Sequence, residues 1–187
     1  MPNPALHLTP PSDLGLTAHP VMAVQVSSLF GNPRSRGVEV GALSINEAQA
    51  TLAAANRGLE TLSAEGLARA DAAAWLLLRH HLSRIASGLV DPWAGLEVIE
   101  AEVRWPYLVQ LQMRSYPWRY ACESHDYHHL YGLYVDYGDL TGRPHEVTWD
   151  GLYGEAAVAA WGRSVVAEAR GWLQRHAEPV AAPDTAG

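Results

Sequence analysis

The chain has 187 residues, a net charge of −7 and a hydrophobic content of 48%, enough apolar material for one globular domain with a sizeable core. All 13 basic residues are arginine, so Schiff-base chemistry, a lysine general base and a Walker-type phosphate lysine are excluded. The lone cysteine, Cys122, excludes an internal disulfide, the acidic balance disfavours a protein that coats duplex DNA, and no apolar run approaches the ~18–20 residues of a membrane span.

Residues 1–20 hold five of the 12 prolines and no hydrophobic periodicity, which predicts an extended or disordered arm. No basic region followed by an apolar stretch opens the chain, so the expected location is cytoplasmic. Residues 21–29 and 38–43 read as strands around the turn-rich segment 30–37. Ser44 with Glu47 three residues later spells a capping box. Ile45, Ala48, Leu52, Ala55, Leu59 and Leu62 follow at helical spacing and predict a helix with one apolar face. A second helix is expected over residues 67–88, with Leu67, Ala70, Ala74, Leu78, Leu82, Ile85 and Leu89 aligned, Gly88 at its end and Pro92 beyond. The short link between the two implies a helical hairpin.

From residue 96 the pattern changes. Residues 96–105, 107–113, 118–122, 130–137 and 145–149 are rich in Tyr, Trp and Val or alternate in polarity, and predict strands, with Pro106 at an edge or bulge. A last helix is expected from an N-cap at Asp150 to about His176, with Val158, Trp161, Val165, Ala169 and Trp172 as its apolar stripe. Residues 178–187 read as a disordered tail. The expected fold is therefore one α+β domain over residues 21–177, in ββ-αα-ββββ-α order. An antiparallel sheet would carry the helical hairpin and the C-terminal helix mainly on one face.

Two segments carry candidate chemistry. In the first, Cys122, His125, Asp126, His128 and His129 fall within eight residues. Thiolate, imidazole and carboxylate are the ligand types of zinc and related transition ions, and His145 or the pair His80 and His81 could complete a set. Such a site with one open position generates a metal-bound hydroxide for hydrolysis, although neither H-E-x-x-H nor paired C-x-x-C is present. The same segment contains the parts of a thiol nucleophile, with Cys122 beside His125 or His128.

In the second, all eight tyrosines lie between Tyr107 and Tyr153, interleaved with tryptophans and arginines. Trp105, Tyr107, Arg114, Trp118, Arg119, Tyr120 and Tyr134 are the expected members of an exposed strand surface. Aromatic rings alternating with arginine suit protein contacts and could stack the bases of a single-stranded nucleic acid; an exposed sheet edge or the long apolar face of the helical hairpin could pair two copies as a homodimer. The leading functional expectation is an accessory or protein-interaction domain using that surface. A metal-dependent hydrolase and a single-strand nucleic-acid binder are the alternatives.

Overall fold

The computed structural model describes residues 43–58, 62–114 and 122–177. The capping box forms: the Ser44 N–H donates to Glu47 Oε2 at 2.8 Å and the Glu47 N–H donates to Ser44 Oγ at 3.3 Å. Helix α1 follows, Ile45–Gly58, and buries Ala48, Leu52 and Ala55. Helix α2, Ala64–Ala86, is capped by Ser63, whose side chain accepts from the Gly66 N–H. It buries Ala70, Ala74, Leu78, Leu82 and Ile85, whereas Leu89 lies beyond the helix end and is 75% exposed. The two helices pack against each other as the hairpin reading requires.

Helix α3 is where expectation and structure part. It starts as Pro92–Ile99, widens into a π-helical stretch Glu100–Leu108, and closes as Val109–Arg114. Asp91 caps it, its Oδ1 accepting from the Trp93 and Ala94 N–H groups at 2.9 and 3.1 Å, and Pro92 takes the first position, where no amide is needed. Pro106 lies inside the π-helical stretch. In an α-helix its ring would clash with the carbonyl four residues back, and the wider π turn relieves that crowding. Gly95 lets α3 approach α2 closely, because a Cβ there would meet Ile85 Cγ1 at 2.4 Å.

A short 3-10 turn, Glu123–His125, leads into α4, His128–Gly142. The chain then reverses at Asp150 and Gly151, whose φ angles are +51° and +74°. Trp149 and Leu152 exchange both backbone hydrogen bonds across this two-residue turn, the usual behaviour of an Asp-Gly pair. Helix α5, Gly154–Arg175, completes the bundle and buries Trp161, Val165, Ala169 and Trp172.

The α+β expectation is therefore overturned. Among the described residues there is no strand, only the isolated bridge between Trp149 and Leu152. Residues 96–105 and 107–113 are helical, and so are residues 130–137; residues 145–149 lie in the turn region before α5. The reason is visible in what is buried. Leu96, Ile99, Val103, Tyr107 and Leu111 sit three or four apart and all face the core, as do Leu130 and Leu140 on α4. Rings and branched side chains raise strand propensity, but that propensity reflects packing context and yields to it. Asp150, expected as an N-cap, belongs to the turn instead. The predicted strands 21–29 and 118–122, nearly all of 38–43, the arm 1–20 and the tail 178–187 lie outside the described residues, apart from Leu43 and Cys122. No helix among the described residues is long and apolar enough to cross a membrane.

Candidate functional site

Two neighbourhoods combine polar chemistry with a defined geometry. One is internal and centres on the π-helical stretch of α3 and the turn before α4. Glu100, Arg104 and Tyr107 project from α3 toward a largely apolar core. Arg104 Nη1 donates to Glu100 Oε2 at 2.8 Å, and the Tyr127 hydroxyl donates to Glu100 Oε1 at 3.3 Å. Burial raises the Glu100 carboxyl above its ordinary value despite the attraction of Arg104, and burial drives the Tyr127 phenol well up. The Cys122 thiol, also buried, is pushed up to about 11 although Arg104 hydrogen-bonds to it.

Beside this lies a second buried group. Asp71 on α2 is 2% exposed and His125 is fully buried. Asp71 Oδ1 accepts from the Tyr107 hydroxyl at 3.4 Å and faces His125 Nε2 at the same distance. The His125 ring stacks on Trp75, with centroids 4.8 Å apart, and its Nδ1 is 2.9 Å from Ser124 Oγ. Trp172 on α5 donates its indole N–H to the His125 carbonyl at 3.0 Å, which anchors the turn to the bundle. On the outer side of the π-helical stretch, His81 Nε2 lies 2.9 Å from Glu102 Oε2, and Gln49 Nε2 donates to both Glu102 oxygens. Burial lowers the His81 imidazole against the opposing pull of Glu102.

The second neighbourhood is on the surface. Arg104 also lies over the Tyr131 ring, 3.9 Å from its centroid, and over that of Trp105 at 5.0 Å. From Tyr131 the rings continue along α4 to Tyr134 at 6.4 Å. Trp93 on α3 stacks on both Tyr134 and Tyr137, at 5.0 and 4.1 Å and nearly parallel. Tyr137 in turn meets Trp161 on α5, whose indole donates to the Leu133 carbonyl at 2.8 Å. This ladder of rings borders a groove of about 580 Å³ between the start of α3 and the face of α5 that carries Val158, Gly162 and Val166, with Arg163 and Arg170 also in its lining. Arg170 is engaged, donating to the Ala86 carbonyl at the end of α2. Arg163 is exposed and makes no ion pair among the described residues.

The residues expected to bind metal divide between the core and the surface, where His128 Nδ1 lies 3.8 Å from Asp126 Oδ1. Cys122 and His125 point into the core. Asp126 is held by Arg175 Nε at 2.8 Å and His176 Nε2 at 3.0 Å, contacts that lower its carboxyl against the opposing effect of burial. His128 and His129 are exposed at the start of α4, with ring centroids 4.0 Å apart. Among the described residues no three His, Cys, Asp or Glu side chains are grouped to hold a metal ion.

Of the expected aromatic surface, Trp105 is 57% exposed, Tyr134 is partly exposed and Tyr107 is buried. Trp118, Arg119 and Tyr120 lie outside the described residues, as does the side chain of Arg114. The strand surface proposed to carry protein contacts is thus overturned, because its described members sit on helices. Sequence reasoning did not single out Asp71, Trp75, Trp93, Ser124 or Arg163. An acidic residue amid the apolar stretch of α2 was the one available signal, for Asp71. Compared with protein-family models, curated proteins and solved structures, the chain has no significant match.

Proposed function

We propose that this chain is a helical ligand-binding domain whose groove between α3, α4 and α5 takes an organic anion with a flat, apolar body. The observation that carries the reading is the parallel stack of Trp93 on Tyr137 at the edge of a groove of about 580 Å³. That volume falls within the ~300–1,000 Å³ typical of small-molecule sites. Apolar side chains from α5 supply the floor, and aromatic faces favour a planar guest. Arg163 supplies positive charge on a chain whose net charge is −7, so an acidic group on the ligand gains most there. Asp91 also borders the groove, but its carboxylate is turned toward the first amides of α3.

The test uses two fluorescent probes, anionic anilinonaphthalene sulfonate and neutral Nile red. Saturable binding of the sulfonate with one site per chain is expected. Trp93→Ala should weaken both probes about fivefold, the equivalent of roughly 1 kcal/mol of ring contact. Arg163→Glu should weaken the sulfonate and leave Nile red unchanged. Non-saturable binding, or affinity indifferent to both substitutions, would remove the groove as the binding site.

A further inference from the structure

The turn before α4 brings together a hydroxyl, an imidazole and a carboxylate in series. Ser124 Oγ is 2.9 Å from His125 Nδ1, and the opposite ring nitrogen, Nε2, faces Asp71 Oδ1 at 3.4 Å. The three residues differ in exposure in the sense that nucleophilic catalysis needs. Ser124 is partly exposed, while His125 and Asp71 are buried. The ring is fixed by Trp75 stacked on one side and by Tyr107 edge-on at 6.0 Å. Its backbone is fixed by the Trp172 hydrogen bond and by the Tyr127 N–H donating to the Cys122 carbonyl at 2.9 Å.

A structural role accounts poorly for these side chains. Asp71 Oδ2 and His125 Nε2 are buried without a hydrogen-bond partner among the described residues, and each such group costs on the order of 1–3 kcal/mol. Apolar residues of the same volume would stabilise this core better. A carboxylate beside Nε2 favours the tautomer with the proton on that nitrogen. The lone pair of Nδ1 is then left to accept the Ser124 hydroxyl proton. Such a relay is recognised by the geometry and roles of its members rather than by their order in the chain. The neighbouring Cys122 is not a competing nucleophile, since it is buried and its thiol is pushed up to about 11.

We infer that Ser124 and His125, positioned by Asp71, form a nucleophilic centre that cleaves activated carboxylic esters. Ser124 Oγ bonds to the ester carbonyl carbon as its proton passes to His125 Nδ1. The bond from that carbon to the leaving oxygen then breaks, and the departing oxygen keeps the electron pair and takes the proton from Nδ1. Water attacks the acyl-serine in the second half, giving one proton to Nδ1. That proton returns to Ser124 Oγ as the carboxylic acid leaves. Asp71, 3.4 Å from Nε2, offsets the charge that builds on the ring. This centre is independent of the groove reading.

The full chain is incubated with a fluorophosphonate probe, which forms a stable phosphonyl ester with an activated serine, and the adduct is located by peptide mass spectrometry. One adduct on Ser124 is expected, together with release of p-nitrophenol from p-nitrophenyl acetate. Ser124→Ala, a change at a partly exposed position, should abolish both while the far-UV circular dichroism is unchanged. Asp71→Asn should lower the maximal labelling rate at least about tenfold and leave the half-saturating probe concentration alone, a split that loosened packing would not produce. Where Asp71→Asn fails to fold, Asp71→Glu is the second variant, with labelling intermediate between those of wild type and Ser124→Ala. Absence of a Ser124 adduct on folded protein, or ester cleavage unchanged in Ser124→Ala, overturns the assignment.

Discussion

The internal polar cluster and the surface ring ladder share the residue types Tyr, Trp and Arg, yet they do opposite things. Inside, Glu100 is joined to Arg104 and Tyr127 by hydrogen bonds at 2.8 and 3.3 Å, and burial displaces the protonation of Glu100 and Tyr127. Outside, Trp93, Tyr134 and Tyr137 meet face to face, and solvent screens whatever charge lies near them. Arg104 belongs to both, pairing with Glu100 on one side and covering Tyr131 on the other. Dielectric environment, more than residue identity, decides whether a side chain here is a candidate for chemistry or for contact.

The largest way to break this contrast is at the shared residue. Arg104→Met leaves the Glu100 carboxylate buried without its ion-pair partner, and a loss of about 3 kcal/mol is expected in urea denaturation. Adding Glu100→Gln to it should recover part of the loss; a double variant as unstable as the sum of the two singles would mean that the pair is not coupled. Tyr134→Ala acts on the outer region, where a partly exposed ring stacked on Trp93 is removed. About 1.5 kcal/mol should go, with no change in the internal hydrogen bonds, as read by amide exchange across α3.

A smaller effect is pH-dependent. Burial holds the folded-state imidazole of His81 below its ordinary value, so the unfolded chain binds the proton more readily. The stabilisation is whole above the ordinary imidazole value and is lost as pH falls through the window beneath it. Stability should therefore decline as pH falls below about 6.5, and His81→Gln should flatten that slope. Smallest of all, Arg163→Ala should shift stability by no more than about 0.5 kcal/mol, which confines its role to whatever the groove holds.

Legibility followed the range of the interaction. The capping box of Ser44 and Glu47 was readable because both partners lie within one turn. The stripe on α5 was readable because Trp161, Val165, Ala169 and Trp172 repeat at helical spacing. The aromatic region reads two ways because the same residues fit two periods. Tyr131, Leu133, Val135 and Tyr137 alternate as a strand would, while Leu130, Leu133, Tyr134 and Tyr137 follow a helix. Val135 is 50% exposed and Leu130 is buried, so the helical set is the one that packs. The histidine-rich segment is dense in chemical groups along the chain. Asp126, His128 and His129 stay together at the surface, whereas His125 finds its carboxylate far away on α2.

By itself the sequence determined the local features: the start of α1, the hairpin of α1 and α2, the apolar face of α5, the absence of lysine chemistry and the concentration of rings after residue 105. Only the tertiary structure decided that those rings lie on helices, that Cys122 and Tyr107 turn inward, and that Asp71 meets His125. Periodicity and capping are set by neighbours a few residues apart, so they can be read along the chain. Which buried face meets which other face depends on how whole helices pack, and that packing placed a carboxylate from α2 beside an imidazole from the turn before α4.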